Sequence, residues 1–151
     1  MKISKKTDYA LRALVTLSEH YGQGPIPIRE LARRNDVPKR FLEHILLELK
    51  EQNLVKSVPG RNGGYELSKN PQRITTGQVV RHFDGILAPI KCVSVADYKK
   101  CSQEPMCRFR RVFLEIRNKT AELMDRLTLA DLVERTPVSE TEVFTTQDAI
   151  S

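Results

Sequence analysis

The run PKRFLEHILLELKEQ, residues 38–52, restricts most tightly what this chain can fold into. Phe41, Leu42, Ile45, Leu46 and Leu49 recur at helical spacing and predict one buried face. Lys39, Arg40, Glu43, His44 and Lys50 remain for the opposite face, and Pro38 suits the first position of a helix. A helix patterned this way needs neighbours to cover it. Upstream, Ala10, Leu14, Leu17 and Tyr21, with Ala13 beside them, predict a helix over 7–21, which GQGPIP then breaks. Residues 28–34 predict a short helix with Ile28, Leu31 and Ala32 inward and Arg29, Arg33 and Arg34 outward, followed by a turn at NDVP. Downstream, Leu54–Val58 and Tyr65–Ser68 flank a Pro/Gly/Asn cluster, which predicts a β-hairpin with a flexible tip.

Helix, short helix, turn, patterned helix and hairpin is the order of a winged helix-turn-helix. Such a fold offers one polar helix face to the major groove of double-stranded DNA. Lys39 and Arg40 sit in the first turn, where side chains reach base edges; Arg bonds guanine bidentately and Glu43 can accept from cytosine N4. Arg61 and Asn62 stand among the glycines of the tip, suited to a phosphate or minor-groove contact. His44 reads equally as a plain surface residue, and Glu43 as an i,i+4 partner on its own helix. Charge supports a polyanionic partner: the net charge is +6, and residues 1–61 hold 12 Lys/Arg against 7 Asp/Glu, whereas residues 131–151 hold 1 against 5.

Beyond the hairpin, Thr75 and Gln78 have capping-box spacing ahead of Val79, Val80 and Phe83, and Gly85 and Pro89 close that helix. Pro105 opens the longest helical pattern, running through Phe109, Val112, Phe113, Ile116, Thr120, Leu123, Met124 and Leu127. It would span roughly 35 Å. Thr128 predicts a cap on a last short helix, 129–135, and the Ser/Thr/Glu-rich tail from Pro137 is expected to be disordered. The expected architecture is mainly α with a small β-hairpin wing and a long C-terminal dimerisation helix. The expected division is 1–70 for the DNA-binding part, 71–135 for the cysteine loop and dimerisation helices, and 136–151 for the tail.

All three cysteines, Cys92, Cys101 and Cys107, fall in one polar segment, CVSVADYKKCSQEPMC. Three thiolates on one loop can wrap an iron–sulfur cluster. Their C-x8-C-x5-C spacing lacks the C-x2-C knuckle of most structural zinc sites, yet zinc and a thiol switch both remain open on residues alone. No nucleophile–base grouping or phosphate loop points to an enzyme. No 18-residue apolar run predicts a membrane span, and Asp8 and Arg12 interrupt the start, so no signal peptide is read. A cytoplasmic setting with reduced thiols is expected.

FLEHILLELKEQNLVKSVPGRNGGYELS resembles the Rrf-type family of bacterial winged-helix regulators, as do the opening MKISKKTDYALRAL and the TLADLV that follows the long helix. The likeness covers residues 1–135 or so. It implies a homodimer whose long helices pack across the two-fold, binding a palindromic operator, most often as a repressor. In the cluster-holding branch the three cysteines ligate 4Fe–4S or 2Fe–2S, reporting nitric oxide, redox or iron status. The IscR kind has a histidine three residues after the last cysteine; here that residue is Arg110. The NsrR kind takes an acidic residue of the first helix from the other subunit, and Asp8 stands at the matching place. Asp8 also suits the positive end of its own helix. The RirA kind also has three cysteines. Pro59 replaces the arginine expected before the first wing glycine, and the first cysteine gap is wide. Alternatives are a cluster-free regulator of the same family, controlled by cysteine oxidation or a protein partner, and an iron–sulfur or adaptor protein that does not bind DNA.

Overall fold

A computed structural model describes residues 1–145 of the chain. Ser4 starts the first helix by accepting from the Thr7 amide, and α1 runs over Lys5–Glu19. Ala10, Ala13, Leu14 and Leu17 form its buried stripe, as their spacing predicts, whereas Tyr21 lies beyond the helix end and is exposed. Next come α2 (Ile28–Asn35) and α3 (Lys39–Glu51). Asp36 closes α2 in the left-handed region at φ 51°, turning the chain so that Val37 is buried and α3 can begin. Leu42, Ile45, Leu46 and Leu49 of α3 are fully buried. Each such side chain contributes about 1.5–3 kcal/mol through burial. Phe41 is the exception: expected inside, it is 40% exposed and packs edge-on against Tyr9 at 5.5 Å.

The hairpin pairs β1 (Val55–Val58) antiparallel with β2 (Gly64–Leu67), Val55 opposite Leu67 and Val58 opposite Gly64. A third segment joins it. Ile26 and Tyr65 exchange backbone hydrogen bonds of 2.8 and 2.9 Å, tying the wing to the chain between α1 and α2. Ile26 carries no strand signal, because a single bridging residue has no periodicity.

α4 (Thr76–Asp84) carries the expected capping box: Thr75 Oγ1 accepts from the Gln78 amide at 3.1 Å and Gln78 Oε1 from the Thr75 amide at 2.8 Å. At the other end Asp84 reaches back to α1, accepting from the Ser4 amide at 2.8 Å and from the buried Thr7 hydroxyl at 2.7 Å. Burial pushes the Asp84 carboxyl up, but these hydrogen bonds outweigh it and leave its pKa below the usual carboxylate value.

The longest helix, α5 (Arg110–Arg126), starts later than the Pro105 expected from its pattern. Turn bonds from the Glu104 amide to Cys101 O and from the Met106 amide to Gln103 O occupy the preceding segment. The 17 residues that remain span roughly 25 Å. None of them is fully buried, although Val112, Ile116 and Leu123 are apolar, and the exposed Phe109 continues their stripe. α5 crosses α4 closely at Gly77, where a β-carbon would fall 3.1 Å from Asp125 Cα and 2.1 Å from its Oδ1. A Gly77→Ala chain is therefore expected to lose about 1–3 kcal/mol of stability, read as a lower urea midpoint at unchanged m-value.

α6 (Leu129–Val133) returns the chain to the first helices. The Thr76 amide donates to Leu127 O at 2.7 Å and the Leu129 amide to Ile74 O at 2.8 Å. Thr128 and Asp131 form a second capping box. Ile74, Val79 and Leu129 thus share one core with Leu14, Leu31 and Leu46. In the tail expected to be disordered, Glu140–Thr145 form a short exposed helix, α7; residues 146–151 of that tail lie outside the described residues. Among the described residues no helix is long and apolar enough to cross a membrane.

Candidate nucleic-acid interface and cysteine loop

The outer face of α3 is built as its pattern requires. Lys39, Arg40 and His44 are exposed, and Glu43 lies 3.5 Å from Lys39 as an i,i+4 pair. Lys50 Nζ donates to Ser57 Oγ of β1 at 2.9 Å, so the end of α3 is joined to the hairpin. At the tip Arg61 and Asn62 are exposed, and the Gly63 amide donates to Gly60 O at 3.1 Å. On α2, Glu30 is held by Arg33 and Arg34, whose hydrogen bonds lower its pKa to about 2.

The inner side of α3 is tied to two neighbouring helices. Glu48 accepts from Lys6 of α1 and lies 3.3 Å from His82 of α4. The Lys6 hydrogen bond holds the Glu48 carboxyl below its ordinary pKa against the opposing effect of burial, with His82 adding to the effect. Sequence reasoning missed this junction, since its members lie far apart along the chain.

The cysteine segment begins in a 3-10 turn, Lys91–Val93, and lies against the start of α5. An open cleft of about 390 Å³ is formed there, with Cys92, Cys107, Tyr98, Glu104 and Arg111 on its walls. Arg110 donates to Cys92 O from Nε at 3.2 Å and from Nη2 at 2.8 Å; Arg117 Nη1 donates to Val93 O at 2.9 Å. Glu104 accepts from the Tyr98 hydroxyl at 2.9 and 3.0 Å and from the Cys101 amide at 3.1 Å. Those bonds, the backbone one first, lower the Glu104 pKa.

All three thiols are free. Cys92 and Cys107 share the cleft, while Cys101 is exposed and outside its walls. Among the described residues no three His, Cys, Asp or Glu side chains are grouped to hold a metal. Asp8 lies on α1 in a different groove, in a forked pair with Arg12 at 2.9 and 3.0 Å. Arg110 stands where the resemblance to the IscR kind would place a histidine, and its guanidinium clamps the Cys92 carbonyl.

The Rrf2 family, described as iron-dependent transcriptional regulators, matches residues 3–135. The chain belongs to this family. A putative rrf2-like HTH-type transcriptional regulator of Rhodobacter capsulatus is 41% identical over 137 residues, 87% of this chain and 91% of that protein. The structure of CymR, the global cysteine regulator of B. subtilis, superposes with a TM-score of 0.73 at 31% identity, covering 91% of this chain and 99% of that one. T. potens IscR gives 0.71 at 27% identity over 93% of this chain and 96% of its own. Other relatives carry the names NsrR and IscR. The fold of this Rrf2-family chain is accordingly a winged helix with a C-terminal helix, and its relatives are transcriptional regulators.

Proposed function

We propose that this Rrf2-family chain is a cytoplasmic, homodimeric DNA-binding repressor whose operator affinity is set by an iron–sulfur cluster on the loop 92–107. The observation that carries this reading is the cleft at the root of α5. It places two thiols against a helix whose apolar stripe, Phe109, Val112, Ile116 and Leu123, is uncovered. The donors suit the group in kind, since three free thiols on one loop are what such clusters take and guanidinium groups line the cleft; Cys101 would have to swing in to join the other two. Cys92, Cys101 and Cys107 would hold it, as 4Fe–4S or 2Fe–2S, with Asp8 from a second copy of the chain as the fourth ligand. When bound, the cluster would supply a centre that nitric oxide, oxygen or iron shortage can alter. Arg110 and Arg117 keep the loop docked on α5, and α5 pairs with its copy through the uncovered stripe. Lys39, Arg40, Glu43 and His44 face the major groove of a palindromic operator, and Arg61 and Asn62 approach its backbone or minor groove.

Anaerobic purification tests this directly, through the absorption spectrum and the iron and acid-labile sulfide per chain. A brown protein with matched iron and sulfide is expected, and a Cys101→Ala chain should lose nearly all of both. A protein that stays colourless and iron-free after anaerobic reconstitution would overturn the sensing mechanism while leaving DNA binding intact.

One observation favours a second reading, a regulator controlled by thiol oxidation without a cluster. The three thiols are not gathered as a ligand set, because Cys101 stands apart from the other two.

A further inference from the structure

We infer that Cys92 and Cys107 form an intramolecular disulfide when the metal-free chain is oxidised, and that Cys101 is left as the odd thiol. The inference deepens the thiol-controlled reading and needs no cluster. Loop-closure entropy alone would favour the pair closer in sequence, Cys101 and Cys107, since shorter loops cost less to close. The folded loop opposes that order. Two donors of Arg110, at 2.8 and 3.2 Å, and the Arg117 bond to the next carbonyl fix the Cys92 turn to the first turns of α5. Cys107 lies three residues before Arg110, at the root of the same helix, and lines the same cleft. Cys101 is exposed and outside the walls of that cleft, its backbone pinned beside the rim by the bond from its amide to Glu104. Glu104 and Arg110 approach to 3.6 Å, so the Cys92 turn and the rim of the cleft are tied to the start of the helix that Cys107 precedes.

With hydrogen peroxide as oxidant the chemistry balances. One thiolate attacks a peroxide oxygen, the O–O bond breaks, and a sulfenic acid forms as the released hydroxide takes up a proton. The second thiolate attacks that sulfur, the S–O bond breaks, and a second water leaves. The two sulfurs lose two electrons in all, and the peroxide ends as two waters. The oxidised loop then offers a single thiolate to a metal, so oxidation and metal loading exclude one another.

The test uses the full chain, stripped of metal under reductant, exposed to one equivalent of hydrogen peroxide, alkylated, and digested with trypsin without reduction. Cleavage after Lys91, Lys99, Lys100 and Arg108 leaves Cys92 on one peptide and Cys101 with Cys107 on another. Fragmentation before Pro105 then separates Cys101 from Cys107. The Cys92–Cys107 link is expected to exceed either link containing Cys101 by about threefold or more. Cys101→Ser should retain it and Cys92→Ser should lose it. Arg110→Ala should bring the ratio towards unity with the helical circular-dichroism signal unchanged. A predominant link through Cys101, a disulfide-linked dimer as the main product, or no disulfide at all would overturn the inference. A chain that never loads iron would count against the cluster and leave this result as it stands.

Discussion

A Gly64→Val chain is expected to lose the seat of its wing and about 3 kcal/mol or more of stability. A β-carbon on Gly64 would fall 2.2 Å from Ile26 O, 2.4 Å from Ile26 C and 2.6 Å from Pro27 N. All three are backbone atoms, so no side chain can swing aside to make room. The Ile26–Tyr65 bridge would have to open, and with it go two backbone hydrogen bonds and the burial of Ile26. Urea unfolding followed by circular dichroism measures the loss. An Asn62→Ala chain, altered at the exposed tip, should unfold at the parental midpoint. A Gly64→Val midpoint equal to the parent would mean that the wing does not sit against residues 26 and 27.

An Arg40→Glu chain is expected to bind operator about 100-fold or more weakly, with a shallower salt dependence. Local charge balance singles out Arg40. Lys39 is paired with Glu43, and Arg33 and Arg34 are paired with Glu30. Among the described residues Arg40 has no acidic partner, so it is the uncompensated cation in the first turn of α3. On the proposed docking of α3, reversal removes that charge and sets a carboxylate beside the phosphates. Arg40→Ala should cost less, about tenfold. Fluorescence anisotropy with a labelled operator at several salt concentrations separates the two variants. Equal affinity in the parent and Arg40→Glu would move the DNA-reading face away from α3.

The helices were legible because their patterns are strong and local. α3 announces its buried face in five apolar residues, and only Phe41 departs, drawn outward to meet Tyr9. The capping box at Thr75 and Gln78 is a four-residue signal and appears where it was expected. The late start of α5 was not legible: Pro105 is compatible with a helix start, and only the turn bonds around Cys101–Met106 reveal that the backbone is already committed. The cysteine loop was legible in composition and not in shape. Spacing puts three thiols on one segment, but which two share a cleft depends on Arg110 and Arg117 of the following helix. The junction of Lys6, Glu48 and His82 gave no signal, since its members are ordinary surface residues until folding joins them.

Arg12 holds more than a carboxylate. While Nε and Nη2 grip Asp8, Nη1 donates at 3.2 Å to Asn35 O, the last carbonyl of α2. The Asn35 side chain in turn accepts from Thr16 at 2.9 Å, so two polar contacts from α1, the Arg12 guanidinium and the Thr16 hydroxyl, meet at the end of α2. The positive charge of Arg12 is shared between the carboxylate and the negative end of the α2 dipole. Any event that draws the Asp8 carboxylate elsewhere hands the whole of that charge to the α2 terminus, four residues before the start of α3. The pair therefore works as a counterpoise: charge released from the acid on one side is felt at the turn between α2 and α3 on the other.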